Sequence, residues 1–217
     1  LLDDGTLYVA RFEEDGSGQW LPLRHGERFA KGALNSEAGF HNQGDVVIRC
    51  RQAADIAGAT PMDRPEWIAV HPVSGEVYVT LTNNSERGKT DRVGPDAANP
   101  RAHNIHGHIV RWREADGDAT ALRFNWDIFA LAGDPAQTQG STIRGDAFSC
   151  PDGLWFDPSG QLWIQTDVSS GVLNQGDFKT FGNNQMLVAD VKTGQTRRVL
   201  TGPLGCELTG ITATTNV

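Results

Sequence analysis

The chain has 217 residues, of which 38% are hydrophobic and 21% are charged, an ordinary balance for a soluble globular domain. Its formal net charge of −8 argues against nucleic acid or an anionic membrane surface as the main partner, and it permits cation binding. No run approaches the about 18 apolar residues of a membrane-spanning helix, so we expect no membrane insertion.

The first half of the chain alternates strand signals with one irregular stretch. Residues 4–10 (DGTLYVA) predict a strand, whereas RQAADIAG at 51–58 predicts a short helix that ends at Gly58. Residues 62–84 (MDRPEWIAVHPVSGEVYVTLTNN) then predict a strand, a Gly-bearing turn and a second strand. This hairpin pattern is the unit on which the rest of the interpretation depends.

The hairpin recurs further along the chain. PEWIAVHP at 65–72 matches PDGLWFDP at 151–158, and after a one-residue slip GEVYVT at 75–80 matches GQLWIQ at 160–165. CELTGI at 206–211 repeats the first half of the unit once more. Each complete copy is followed by two more strand candidates, at 107–113, 121–127, 184–191 and 195–200.

Four antiparallel strands that repeat in this way are typical of propeller blades. We therefore predict an all-β fold, a partial β-propeller over residues 1–217 that is truncated at both ends, with long loops at 85–106 and 132–149 and a short helical segment. The predicted blades are 1–50 (partial), 62–127, 150–201 and 206–217 (the start of the next). The remaining blades should belong to a longer protein, called the parent protein below.

The repeat places three acids at one equivalent position, where the first strand of each blade enters the central channel. These acids are Glu66, Asp152 and Glu207. Crowded carboxylates are unfavourable unless they are protonated or bind a cation, and a hard cation such as calcium prefers oxygen ligands. The second strand returns to the same face, where Asp167 could add a ligand, as could Thr82 and Asn83. The alternative is that each acid caps a turn or, for Glu66, pairs with Arg64.

The other residues that could serve a function are more simply interpreted as structural. We expect three tryptophans to pack between strands, namely Trp67, Trp155 and Trp163. His103, His106 and His108 are expected at the surface or at a strand edge, since the pattern supplies no third ligand for a His-x-His metal site. Cys206 beside Glu207 is expected to be a small buried residue, with a metal thiolate as the alternative. No nucleophile elbow, phosphate loop or HExxH helix is present in the sequence.

Four motifs together resemble the PhoX-type alkaline phosphatases, in the same order along the chain. They are MDRPEW at 62–67, NPRA with GHIVRW within 99–112, CPDGLWFDPSGQLWIQTD at 150–167, and GCELTG at 205–210. The resemblance implies a six-bladed propeller, of which this chain would cover roughly half. It also implies hydrolysis of phosphate monoesters by a periplasmic or secreted protein exported through the twin-arginine route.

The resemblance further implies a centre of iron(III) and calcium ions in the propeller mouth. The family's Arg-Pro-Glu triplet falls on Arg64 to Glu66, so Arg64 would bind phosphate and Glu66 would bind metal. By the repeat, Asp152 and Glu207 are the other predicted ligands, and Asp167, where the second strand returns to the same face, is a further one. Small phosphate esters would be the partners of the site.

Two alternative hypotheses for the function remain. A calcium-dependent lactonase of the gluconolactonase type would share the propeller and the PDG motif, but Arg64 fits phosphate better than a neutral lactone. A propeller scaffold that binds other proteins would use the same acids as turn caps, without metal.

Overall fold

The computed structural model describes residues 5–214, and this part of the chain is mostly β. Its strands and α-helices are, in chain order, β1 (Tyr8–Phe12), β2 (Ser17–Pro22), β3 (Arg28–Phe29), β4 (Gly32–Ala33), α1 (Gln43–Ile48), α2 (Cys50–Ala57), β5 (Pro65–Val70), β6 (Val77–Leu81), β7 (His108–Glu114), β8 (Arg123–Leu131), β9 (Arg144–Gly145), β10 (Pro151–Phe156), β11 (Leu162–Thr166), β12 (Gln185–Ala189) and β13 (Gln195–Thr201). None of the helices in this part of the chain is long and apolar enough to cross a membrane.

One compact unit comprises the described part of Leu1–Pro61 together with Glu114–Trp126. Strands β1 and β2 form an antiparallel hairpin, and β2 pairs in turn with residues 123–125 of β8. The sequence predicts a partial blade over 1–50, but this hairpin takes its third strand from outside that range. The free edge of β2 would leave backbone N–H and C=O groups unpaired, and the first residues of β8 supply their hydrogen-bond partners.

Two short helices close this unit. Helix α1 begins after Asn42, whose side chain accepts a hydrogen bond from the Asp45 N–H at 3.0 Å, and α2 ends at Gly58 with φ of 81°. The predicted helix at 51–58 therefore corresponds to α2. The sequence did not reveal α1, because its Val-Val-Ile run favours strands, and the cap with the burial of Val46 overrides that preference.

The second compact unit comprises Met62–Arg113 and the described part of Asp127–Val217. Its first sheet has the order β8-β7-β6-β5, and its second has the order β10-β11-β12-β13-β9. The four strands of each repeat thus follow one another in space as they do in sequence. Strand β9, parallel to β13, has only two residues and gave no sequence signal.

The core of the second unit lies where the two sheets pack together. The rings of Tyr78 and Phe156 meet edge to face at 5.2 Å. Most of the buried residues of this cluster lie on the strands of the repeats: Tyr78, Ile109, Ala130, Leu154, Phe156, Leu162, Ile164, Leu187 and Ala189. The loop at 132–149 adds Ala132, Ile143 and Phe148.

The last described residues, 206–214, run without strand pairing. The strand predicted here from the CELTGI motif is therefore not formed within the described part of the chain. A strand needs a neighbour to complete its hydrogen-bond ladder, and none of residues 5–214 supplies one to this segment. Residues 1–4 and 215–217, on which parts of the predicted first and last blades fall, lie outside the described residues.

Candidate metal centre

Both repeats place their acid in a β-bulge. The pairing of β5 with β6 shifts register within residues 65–68, and the pairing of β10 with β11 shifts at the equivalent point, within 151–154. Glu66 and Asp152 lie inside these shifts. A bulge re-aims the side chain it carries and occurs often beside functional sites. The repeat therefore conserves a backbone distortion as well as a residue type.

The residue before each bulge is also distorted in the same way. Arg64 and Cys150 both precede a proline and have φ of 51° and 50°, a left-handed conformation that non-glycine residues rarely adopt. Their carbonyl oxygens accept hydrogen bonds from the N–H groups of Thr82 (3.1 Å) and Asp167 (3.0 Å), respectively. Thr82 and Asp167 thus occupy equivalent positions, and the second repeat has an acid where the first has a hydroxyl.

Three of the predicted ligands converge. One carboxylate oxygen each from Asp152, Asp167 and Glu207 lies within 4.8 Å of the others. Asp152 is 9% exposed, whereas Glu207 is exposed. Glu66 lies outside this group of three, although its charge still acts on Asp152. The structure therefore brings the predicted acids to one region, with Asp167 inside the tight group.

The electrostatics of the cluster are unfavourable without a counter-charge. The pKa of Asp152 is raised to about 6, first by burial and then by the negative charges of Glu66, Asp167 and Glu207, while Arg64 acts in the opposite direction. A divalent or trivalent cation would remove this repulsion, and an all-oxygen donor set of this kind fits a hard cation. The residues present therefore fit the kind of metal that the sequence predicts.

Arg64 is held beside the acids with part of its guanidinium free. Its Nη1–H donates to Asn83 Oδ1 at 3.0 Å, and its Nη2 lies 3.7 Å from Glu66 Oε1. The Asn83 amide donates in turn to Cys150 Sγ at 3.6 Å, which fixes the amide with its oxygen toward Arg64. The Arg64 side chain is 60% exposed, so its remaining N–H donors can contact an anion.

Of the two oxygen ligands suggested beside Asp167, Asn83 has its Oδ1 committed to this contact with Arg64. The Thr82 hydroxyl is buried and has no hydrogen-bond partner among residues 5–214.

Thr80 connects the two bulges, and the sequence did not mark it as functional. The Trp67 N–H donates to Thr80 Oγ1 at 2.9 Å, and the Thr80 O–H donates to the Asp152 carbonyl oxygen at 2.7 Å. Thr80 is fully buried. Its hydroxyl therefore fixes the spacing between the bulge of Glu66 and the bulge of Asp152. The feature of the sequence that could have pointed to Thr80 is its position at the end of the stretch 75–80, which matches 160–165.

A buried ion pair anchors the residue before Arg64. The Arg87 Nε–H donates to Asp63 Oδ1 at 2.6 Å, and both side chains are fully buried. The amides of Asn84 and Asn104 donate to the same carboxylate, at 2.8 and 3.0 Å. Because every one of these contacts crosses at least one loop, the sequence alone could not show them. They hold the chain rigidly where it enters the first bulge.

The histidine prediction was wrong for two of the three residues. His103 is exposed, but His106 is 6% and His108 is 0% exposed. His108 donates from Nε2 to the Ala98 carbonyl oxygen at 2.8 Å, and burial lowers its pKa to about 4. Burial also lowers the pKa of His106 to about 4. Both rings are neutral because the loop before β7 folds over them, which a local pattern does not encode.

A cavity of about 670 Å³ lies beside His106 and Arg101, and its lining includes Asp177 but none of the predicted metal ligands. The acid cluster is thus a separate feature at the strand ends.

Comparison with known proteins gives the family. The family model "Alkaline phosphatase PhoX" matches residues 1–216. The chain belongs to the PhoX alkaline phosphatase family. The predicted resemblance is thereby confirmed.

A solved structure of a member shows the same fold. It is Pseudomonas fluorescens PhoX in complex with vanadate, a transition state analogue, which is 46% identical to this chain with a TM-score of 0.83. The match covers 96% of this chain and 37% of the PhoX chain. The curated relative 4-oxocyclohexanecarboxylate 2-dehydrogenase of Sinomonas cyclohexanicum is 28% identical over 198 residues, which are 86% of this chain and 29% of that protein. The chain therefore spans well under half the length of both relatives.

Proposed function

We propose that the parent protein hydrolyses phosphate monoesters at alkaline pH, at a multi-metal centre in which this chain supplies several ligands. The observation that carries the proposal is the convergence of Asp152, Asp167 and Glu207 within 4.8 Å, in a chain of the PhoX family. The vanadate complex of the relative with 46% identity supports the substrate class, since vanadate is there a transition state analogue.

The proposed roles follow from position and charge. Asp152, Asp167 and Glu207 would hold one hard cation, and Glu66 would hold another at the edge of the group. Calcium and iron(III) are the ions we propose, because both accept oxygen ligands. When bound, such ions supply Lewis-acid polarisation of the phosphate oxygens and offset the charge of the transition state.

Arg64 would bind a peripheral phosphate oxygen. Its guanidinium is oriented by Asn83 and lies near Glu66, so it needs little reorganisation to donate two parallel hydrogen bonds. The buried pair of Asp63 and Arg87 keeps the backbone before Arg64 in place. Binding, orientation and charge complementarity are thus the contributions of this chain.

We also propose the larger setting that the sequence predicts. The two four-stranded repeats would be blades of a six-bladed propeller, and the parent protein would supply the other blades. Export by the twin-arginine route would place the protein in the periplasm or outside the cell. Immunoblotting of the parent protein in separated periplasmic and cytoplasmic fractions would test that location.

The test of function is elemental analysis of the purified parent protein beside p-nitrophenyl phosphate hydrolysis, with and without a calcium chelator. We expect iron and calcium together with chelator-sensitive hydrolysis, and a loss of at least about a hundredfold in kcat/KM for Arg64→Ala. Asn125→Ala, which changes an exposed residue of β8, is the matched control and should keep the activity. Calcium alone without phosphatase activity would favour the lactonase, and absence of metal the scaffold.

A further inference from the structure

Gln165 occupies the same place in the second repeat as Thr80 does in the first. In β5 and β6, Pro65 pairs with Leu81, and in β10 and β11, Pro151 pairs with Thr166. One residue before each of these partners stand Thr80 and Gln165. The sequence match of 75–80 with 160–165 gives the same equivalence.

The role of Thr80 is visible in the structure. Its hydroxyl accepts from the N–H of Trp67 in its own bulge and donates to the carbonyl oxygen of Asp152 in the next bulge. Thr80 thus connects the first acid segment to the second. By the same register, Gln165 would connect the second acid segment to the third, which contains Glu207.

Gln165 is placed for that connection but does not make it in the structure. The side chain is 0% exposed, and both its Nε2 and Oε1 lack a hydrogen-bond partner among residues 5–214. The Oε1 lies 2.3 Å from the point where a Cβ on Gly153 would stand, and the Thr209 carbonyl oxygen lies 2.7 Å from that point. The glycine thus leaves room for the amide between its own bulge and the segment of Glu207.

An unpaired buried amide is destabilising, so a side chain in this state favours any arrangement that pairs it. The segment of Glu207 is held at its start, where the Asn184 amide donates to the Cys206 carbonyl oxygen at 3.0 Å. Beyond that residue it has no strand pairing in the described chain. The amide of Gln165 has both a donor and an acceptor to offer there.

We propose that Gln165 is a positioning residue that holds the Glu207 segment against the second bulge. In the cation-bound state, its Oε1 accepts from the Gly153 N–H, and its Nε2–H donates to a main-chain carbonyl oxygen of residues 207–209. This pairing fixes the Glu207 carboxylate in the cation site with Asp152 and Asp167. The inference rests on the proposed function, because it assumes that the three carboxylates bind a cation.

The test uses the full-length parent protein and calcium alone. Gln165→Met keeps the volume of the side chain and removes both polar atoms. Partners that orient metal ligands typically contribute ten- to a hundredfold to metal affinity, so we expect calcium affinity to fall by about tenfold in a titration of chelator-treated protein. The melting temperature of the metal-free variant should stay equal or rise, since an unpaired amide is lost.

Gln185→Met is the matched control. Gln185 is also buried, on the neighbouring strand β12, and its amide donates to the Ala147 carbonyl oxygen rather than toward the acids. We expect this variant to lose thermal stability and to keep its calcium affinity. If Gln165→Met does not fold, Gln165→Asn takes its place, because its amide is one methylene too short to span the gap.

The outcomes separate this inference from the proposed function. Calcium binding that is weakened by Glu207→Gln but unchanged by Gln165→Met would overturn the inference alone. An equal loss of affinity in Gln185→Met would overturn it too, because the effect would then be a general one. A wild-type parent protein that binds no calcium would overturn both.

Discussion

Replacing Thr80 by valine should separate the two bulges without opening a cavity. Valine has nearly the same shape as threonine but cannot accept from the Trp67 N–H or donate to the Asp152 carbonyl oxygen. Two backbone groups then lose their partner in a buried place, at about 1–3 kcal/mol each before relaxation. Because the site is fully buried but next to the strand ends, we expect a total loss of about 2–3 kcal/mol.

Urea unfolding of the parent protein, followed by tryptophan fluorescence, measures this loss, and phosphatase activity of the same preparation reports the alignment of Glu66 with Asp152. Thr80→Ser keeps the hydroxyl and removes one methyl group, so it should cost only about 1 kcal/mol and keep the activity. If Thr80→Val is as stable and as active as Thr80→Ser, the hydroxyl does not connect the bulges in the way described.

Three further changes have expected outcomes. Asp152→Asn should stabilise the chelator-treated parent protein by about 1–2 kcal/mol, because the pKa of Asp152 is raised to about 6 and solvent screens part of the repulsion that this shift reflects. The same change should destabilise the calcium-loaded form. Thermal melts with and without calcium check that the effect changes sign. Arg87→Met leaves the Asp63 carboxylate buried without its partner and should cost about 3–5 kcal/mol in urea unfolding, so a loss under about 1 kcal/mol would contradict the ion-pair role. His108 stays neutral in the folded state down to about pH 4, whereas the unfolded chain protonates it near pH 6.5. The contribution of neutral His108 to folding stability is therefore complete above pH 6.5 and is lost as the pH falls toward 4. Between pH 7 and 5, the wild type should lose about 2 kcal/mol more of its unfolding free energy than His108→Gln, with the exposed His41→Gln as the control.

Much of the strand order was predictable because strand signals are local. Alternation and Gly-bearing turns depend on residues a few positions apart, and the match between 65–80 and 151–165 is enough to predict β5, β6, β10 and β11. The same match put Glu66 and Asp152 at equivalent points, which the paired bulges then gave a physical basis. The short strand β9 gave no such signal, because two residues are too few for a period.

The repeat, the family and the set of acids can therefore be predicted from the sequence, since each depends only on residue order. Which of these acids meet depends on the tertiary structure, because Asp152, Asp167 and Glu207 come together through the bulge of β10, the end of β11 and a segment that follows the last strand. The tertiary structure also decided that His108 is buried and neutral and that Thr80 connects two repeats. Thr80 and Asp152 are more than 70 positions apart in the chain. Their contact depends on how the sheets pack and not on any local preference of the sequence.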